Sequence, residues 1–401
     1  MPDVQPPLPT AVRAAEPTAA TKAPHSPALD GIRGVAILGV LLFHTGHLPG
    51  GFLGVDLFFA LSGYLITGLL LREVHATGTV SLISFWGRRI RRLFPALAVL
   101  LAVVTVVVRL VGDPGMLAST LADGPWVQLN LVNWHLLAES AAYWDRFGPS
   151  RVFEHLWSIA VEEQFYLLWP VIVLALGRRV RHRVALVAVL ASALSLVLMI
   201  LLVDPADPTR VYTGTDTRAF SLLLGAVVAA RPPRTGRWGD AAMAVLMTGL
   251  AALWVFADGT GSGWLYTGGL FAHSLAAALL IGLCAQQPRA LASRLFACRP
   301  LRWFGLISYS LYLWHWPVFV LLSPERTGLD GWAHTAVVCA VSIVLATLSK
   351  YFVEDPIRFR ARWARGRRGV LAFTAATVVL ALLWTAMPEP APPAIDLTQL
   401  S

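Results

Sequence analysis

Long apolar runs alternate with short, arginine-studded connections along almost the whole chain. Runs able to cross a hydrocarbon layer of about 30 Å begin near residues 30, 51, 93, 156, 184, 218, 239, 264, 303, 331 and 370. Stretches such as LAVLLAVVTVVV have no period-two alternation. The spans are therefore helices that satisfy their own backbone in lipid rather than strands of a barrel. The predicted fold class is an all-α, polytopic integral membrane helical bundle.

The polar connections orient this bundle. Arginine clusters such as GRRIRR and GRRVRHR fall in the connections 72–92, 177–183, 231–238, 285–302 and 353–369, and the intervening connections carry few. Positive charge marks the cytoplasmic side, so the expected arrangement is multi-pass in the cell (inner) membrane with the N-terminus cytoplasmic and the C-terminus external. This requires that residues 113–154 make no complete crossing, and they are read as an external or partly embedded loop. Residues 1–27, rich in Pro, Ala and Thr and without the apolar core of a signal peptide, are expected to be a disordered cytoplasmic leader. The expected divisions are a membrane domain at 28–360, a basic linker with the eleventh helix at 361–387, and a short external tail at 388–401.

Composition agrees with the pattern. Of 401 residues, 56% are hydrophobic and 14% charged, outside the range of a soluble globular chain. The net charge of +9 resides between apolar runs, which points to orientation in a bilayer and to no nucleic-acid partner. Cys284, Cys298 and Cys339 have no metal or redox spacing and read as buried apolar residues or a reduced thiol. No metal and no bound cofactor are expected.

Ionisable residues at membrane depth are costly and are candidates for function. His44 lies eleven residues after Arg33 in GIRGVAILGVLLFH, about 16 Å along a helix. It is either a structural histidine bonded to a carbonyl or a catalytic imidazole. Asp56 follows the turn TGHLPGGFLGVD at a similar depth, where a carboxylate could fix the imidazole tautomer; alternatively it is a helix-start carboxylate at the interface. FWGRRIRRLFPAL sets Arg88, Arg89, Arg91 and Arg92 at the inner mouth of the third span. These can be membrane anchors, but Arg89 and Arg92 share one helical face, and paired guanidinium groups suit phosphate. HLWSIAVEEQFYLLWP puts Ser158 and Glu162 on one face of the fourth span, with Glu163 beside them. Arg218 and His315 are open between structural bonding and lining a cavity. Arg109 is near enough to its helix end to snorkel, and Trp314 and Trp316 read as packing or interface aromatics.

In this order the motifs ALDGIRGVAILGVLLFHTG, GGFLGVDLFFALSGYLIT, FWGRRIRRLFPAL, HLWSIAVEEQFYLLWP, ISYSLYLWHWPV and FVEDPIRF resemble the acyltransferase-3 family of membrane O-acyltransferases over residues 28 to about 360. The resemblance implies a ten-helix core, here with one additional C-terminal transmembrane helix. It implies an enzyme that moves an acyl group, commonly acetyl, from cytoplasmic acyl-CoA as co-substrate to a hydroxyl of a sugar, cell-envelope glycan or glycosylated metabolite. His44 would be the catalytic histidine, with Asp56 or Glu162 as its carboxylate. Arg33, Arg88, Arg89 and Arg92 would take the acyl-CoA, and Ser158, Glu163, Arg218 and His315 the acceptor. Some relatives continue past an eleventh helix into an external SGNH esterase-like domain. Here TAMPEPAPPAIDLTQLS follows, which favours a small glycosylated metabolite as acceptor. The competing reading is a secondary transporter of a small anionic or sugar-like solute. Against it, no matching pair of Gly/Pro-broken helices occurs in two halves.

Overall fold

The computed structural model describes residues 26–144, 151–177, 180–234, 236 and 238–388. The expected leader up to residue 25 and the tail from residue 389 lie outside the described residues. Among those described, the chain is helical with no strand. The helices are α1 (Pro27–His44), α2 (Gly54–Thr77), α3 (Leu82–Val111), α4 (Pro114–Gln128), α5 (Val132–Ala138), α6 (Trp157–Leu176), α7 (Val180–Leu202) and α8 (Thr209–Thr213). They continue with α9 (Thr215–Ala230), α10 (Gly239–Phe256), α11 (Gly269–Gln286), α12 (Leu291–Phe296), α13 (Arg299–Leu321), α14 (Pro324–Thr327), α15 (Gly331–Leu348) and α16 (Gly366–Ala386).

Ten helices among the described residues are long and apolar enough to cross a membrane. They expose apolar stripes of the kind lipid covers, such as Leu186, Leu190, Leu194, Val197 and Leu201 along α7. The span expected at residue 218 differs. It is α9, of 16 residues and so about 24 Å long. Enclosed between α2 and α7, with most of its length buried, it contacts helices rather than lipid, and nothing forces it to match the bilayer thickness.

Close approach of helices is set by glycine. A Cβ on Gly34 would stand 2.1 Å from the Leu301 carbonyl oxygen, and one on Gly305 1.8 Å from the Asp30 carbonyl oxygen. The backbones of α1 and α13 thus touch directly near their arginine-rich ends, as small residues allow in membranes. The two helices run parallel from there, which brings the last turn of α1 beside Trp314 to Trp316 of α13. A second contact of this kind, Gly63 against the Leu222 carbonyl and Gly225 against that of Ala60, joins α2 to α9.

Within the segment 113–154, the described residues 113–144 and 151–154 form a hairpin packed against α6 and α16. Asp113 caps α4 by accepting the Met116 N–H at 2.8 Å, and Asn130, with φ 57°, turns the chain into α5. Gln128 donates to the Thr377 carbonyl of α16 at 2.9 Å, and Gln164 of α6 donates to the Asn130 carbonyl at 2.8 Å. Thr377 and Gln164 are midway along their helices, so the hairpin tip reaches the middle of the bundle before the chain returns. Asp123, buried, closes the hairpin by accepting from Arg151 at 2.6 Å beside His135 at 3.2 Å.

The FVEDPIRF motif also acquires a structural account. After α15 the chain continues as π-helix through Ser349–Glu354 and Pro356–Arg360. Its wider turn places the Lys350 ammonium 3.0 Å from Glu354 and 2.9 Å from Asp355, so a lysine buried at this depth is neutralised by two acids.

The α1–α13 contact yields a direct test. Gly305→Val drives a branched side chain into the α1 backbone, with an expected loss of about 1–3 kcal/mol, seen as a lower melting temperature of the detergent-solubilised protein. Gly249→Ala, whose Cβ meets nothing within 4 Å, leaves the melting temperature unchanged or slightly raised.

Candidate active site

A cavity of about 490 Å³ enters the bundle from the arginine-rich end, and Arg33, Arg72, Arg89 and Arg92 stand in its wall. Arg33 and Arg92 come from α1 and α3. Trp86 anchors α3 to α6 by donating to the Tyr166 carbonyl at 3.1 Å, and Tyr309 anchors α13 to α3 by donating to that of Leu93 at 2.8 Å. The Arg89 guanidinium lies 5.6 Å from the Phe85 ring and 5.8 Å from the Tyr166 ring, so aromatic faces hold part of its charge. Arg33 pairs with Asp30 at 3.4 Å. The mouth is a set of guanidinium groups held on three helices, suited to an anion with several oxygens.

Deeper in the cavity, Glu162 accepts from the Ser62 hydroxyl at 2.8 Å and from the Tyr166 hydroxyl at 3.1 Å. One turn further along α6, Ser158 shares a 2.6 Å hydrogen bond with the Tyr312 hydroxyl, which also donates to the His155 carbonyl at 3.0 Å. Ser158 and Tyr312 belong to the wall of the cavity. The Tyr312 ring is 5.2 Å from that of His315, so the closed end of the cavity is one side-chain layer from the histidines.

His44 and His315 form a pair. His315 Nδ1 donates to the Tyr312 carbonyl oxygen at 2.7 Å, and its Nε2 is 3.2 Å from His44 Nδ1. A carbonyl only accepts, so the His315 proton is on Nδ1 and its Nε2 carries a lone pair when the ring is neutral. The proton between the rings then belongs to His44 Nδ1, which leaves His44 Nε2 as the basic nitrogen. His315 is 1% exposed, and His44 is half-buried against the rings of His315 and Trp316, at 5.0 and 4.7 Å. The imidazole at the end of α1 therefore turns into the bundle and away from lipid.

The family model described as an acyltransferase domain matches residues 26–351. The chain belongs to the acyltransferase-3 family. Within it, YrhL of Bacillus subtilis (strain 168) is 38% identical over 359 residues, which cover 85% of this chain and 56% of that protein. A Listeria monocytogenes protein named peptidoglycan O-acetyltransferase OatA is 36% identical over 83% of this chain and 56% of its own length. An O-acetyltransferase OatA of Staphylococcus aureus (strain NCTC 8325 / PS 47) is 35% identical over 83% of this chain and 57% of its own. The chain spans somewhat more than half the length of these relatives. No solved structure matches it.

Several positions expected of this acyltransferase-3 chain fall elsewhere. Asp56 does not orient His44: its Oδ1 accepts from Arg218 at 2.9 Å, Ser221 at 2.8 Å and Ser274 at 3.0 Å. Asp56 and Arg218 are both 0% exposed, and the guanidinium rests on Tyr212 and Phe59 at 4.8 and 5.8 Å. An aspartate two residues into α2 meets an arginine at the start of α9 because the two helices run parallel and in contact. Arg218, expected at the acceptor, is thus sealed in an ion pair joining α2, α9 and α11. Glu162 is bonded to Ser62 and Tyr166, so neither carboxylate reaches His44, and a second imidazole occupies that position. Arg88 is exposed and 3.5 Å from Glu73, outside the cavity wall, as is Glu163. Tyr312, Tyr166, Ser62 and His155 are the members that sequence reading missed. The available signal was spacing: Tyr166 lies four residues after Glu162, Tyr312 three before His315 and His155 three before Ser158.

The Asp56–Arg218 pair makes a stability prediction. Arg218→Ala strands a buried carboxylate, with an expected loss of about 3–5 kcal/mol. The variant accumulates poorly or melts at markedly lower temperature in detergent, whereas Arg88→Ala, which breaks only an exposed pair, leaves the melting temperature within a degree or two of the parent.

Proposed function

We propose that this acyltransferase-3 chain is a membrane O-acyltransferase that moves an acetyl group from cytoplasmic acyl-CoA to a hydroxyl of a cell-envelope glycan, with His44 as general base. The observation that carries this reading is the alignment of parts along one path: a guanidinium mouth, a cavity about 490 Å³ in volume, and behind its closed end an imidazole with its basic nitrogen set by a hydrogen-bonded partner. Arg33, Arg89 and Arg92 would bind the diphosphate of the donor, and the pantetheine arm would carry the thioester past Glu162 toward Ser158 and Tyr312. Movement of the Tyr312 side chain would open the last layer to His44.

In the transfer, His44 Nε2 removes the proton of the acceptor hydroxyl as that oxygen attacks the thioester carbonyl. The new C–O bond forms, the C–S bond breaks, and the thiolate leaves as coenzyme A and takes up a proton. The bond from His44 Nδ1 to His315 keeps the ring oriented and stabilises the imidazolium that forms, the role first given to a carboxylate. A transient acyl-imidazole on His44 is the second route, and a single-turnover quench with labelled acetyl-CoA and no acceptor separates the two: label on His44 selects the acyl-imidazole.

The acceptor follows from relatives whose names specify peptidoglycan O-acetylation. They favour an envelope glycan over a small glycosylated metabolite. The arginine clusters support an orientation with α1 entering from the cytoplasm.

Purified protein in detergent, given acetyl-CoA and peptidoglycan fragments, is expected to release free coenzyme A only when acceptor is present. His44→Ala lowers that rate by about 10²- to 10⁴-fold, and His315→Ala lowers kcat while the KM for acetyl-CoA changes little. Absence of release with every acceptor tried would return the chain to the transporter reading.

A further inference from the structure

A second cavity opens beside the first at the arginine-rich end, between the last turns of α2, the start of α7 and the end of α9. Its volume is about 910 Å³, and Tyr64, Leu65 and Arg72 belong to the walls of both cavities. Arg72 therefore stands at their junction. Among the described residues, the charged or ionisable nitrogens of the second wall are those of Arg72, His75, Arg181 and His182, and no carboxylate lines it. Neither Arg72 nor Arg181 has an acidic partner among the described residues. The Arg231 guanidinium donates to His182 Nδ1, so that ring is held with its remaining N–H, on Nε2, as a donor. Leu71, Val74, Val180 and Ala229 supply an apolar shelf beside these groups. Gly68 gives Arg72 its room, since a Cβ there would come within 3.3 Å of the guanidinium Nη1.

Size gives this cavity a role. The first cavity, about 490 Å³, sits in the lower half of the roughly 300–1,000 Å³ typical of sites for drug-sized ligands. That is room for a thioester arm, and too little for an arm, a diphosphate and a phosphorylated nucleoside together. We propose that the second cavity holds the 3′-phosphoadenosine end of the acyl-CoA donor, with Arg72 reaching the diphosphate between the two cavities, Arg181 and His182 on the 3′-phosphate, and the adenine on the apolar shelf. The assignment rests on the donor reading given above. An anionic lipid headgroup offers the same phosphate chemistry at the same level of the bundle. Continuity with the first cavity and the shelf beside the cations favour the nucleotide, because a headgroup needs neither.

The test uses the full chain in nanodiscs of zwitterionic phosphatidylcholine and compares acetyl-CoA, acetyl-3′-dephospho-CoA and S-acetylpantetheine as donors. Arg181→Ala is expected to raise the KM for acetyl-CoA about tenfold, as loss of a hydrogen bond between charged groups does, with kcat retained. The effect shrinks to less than about twofold for the two donors without a 3′-phosphate. By titration calorimetry, adenosine 3′,5′-bisphosphate binds the parent and binds Arg181→Ala about tenfold more weakly. An equal KM change for S-acetylpantetheine, or none for acetyl-CoA, overturns the assignment. Retention of phosphatidylglycerol by the parent that is lost in Arg181→Ala, with the KM for acetyl-CoA unchanged, makes the cavity a lipid site and also overturns it. If the parent transfers from no donor at all, the donor reading itself fails. If transfer persists and Arg181→Ala affects it in no way, only the nucleotide site fails.

Discussion

The direct backbone contact between α1 and α13 is the constraint on which the candidate site depends. Gly34 and Gly305 let the two helices touch at one end, and because the helices are parallel, that contact fixes the register at the other. His44 is ten residues beyond Gly34 and His315 ten beyond Gly305, so equal rise along the two helices brings the imidazoles to the same level. A side chain at either glycine would separate the axes near the cavity mouth and loosen the histidine pair about 15 Å away. In lipid no hydrophobic force drives helices together, and this kind of close packing carries more of the burden than it does in water.

The bundle handles buried charge in two ways. Asp56 with Arg218, and Lys350 with Glu354 and Asp355, are closed on themselves, which cancels the charge and joins helices. Arg33, Arg89 and Arg92 instead face a cavity, and Glu162 accepts hydroxyl donors there. Both arrangements meet the cost of an ionisable group at membrane depth, but only the second leaves guanidinium groups facing a space that a ligand could fill. The distinction separates two sequence motifs: GGFLGVDLFF contributes Asp56 to the sealed pair, and FWGRRIRRLF contributes Arg89 and Arg92 to the cavity.

Much of the bundle was legible in the sequence because the driving force is written in one dimension. An apolar run of sufficient length must be helical in lipid, and arginines between runs mark one side. At α9 the same signal marked an apolar run without showing its surroundings, since hydropathy reports apolar character and does not say whether the neighbour is lipid or another helix. Residues 113–154 were ambiguous because a hairpin that dips halfway and returns satisfies its polar groups on α6 and α16, through Gln164 and Gln128, far away in the chain.

By itself, the sequence determined the class of fold, the arginine-rich end and the shortlist of ionisable residues at depth, since each follows from composition and spacing along a single helix. The tertiary structure decided which of those residues meet. Depth along one helix is readable from residue number, but the relative register and azimuth of neighbouring helices are not: Gly51 packs on the Gly39 carbonyl and Gly54 on that of Ala36, which sets Asp56 well below His44, whereas His315 stands beside it. Packing of α2 on α9 turned the aspartate toward an arginine, and packing of α1 on α13 gave the imidazole a second imidazole as its partner.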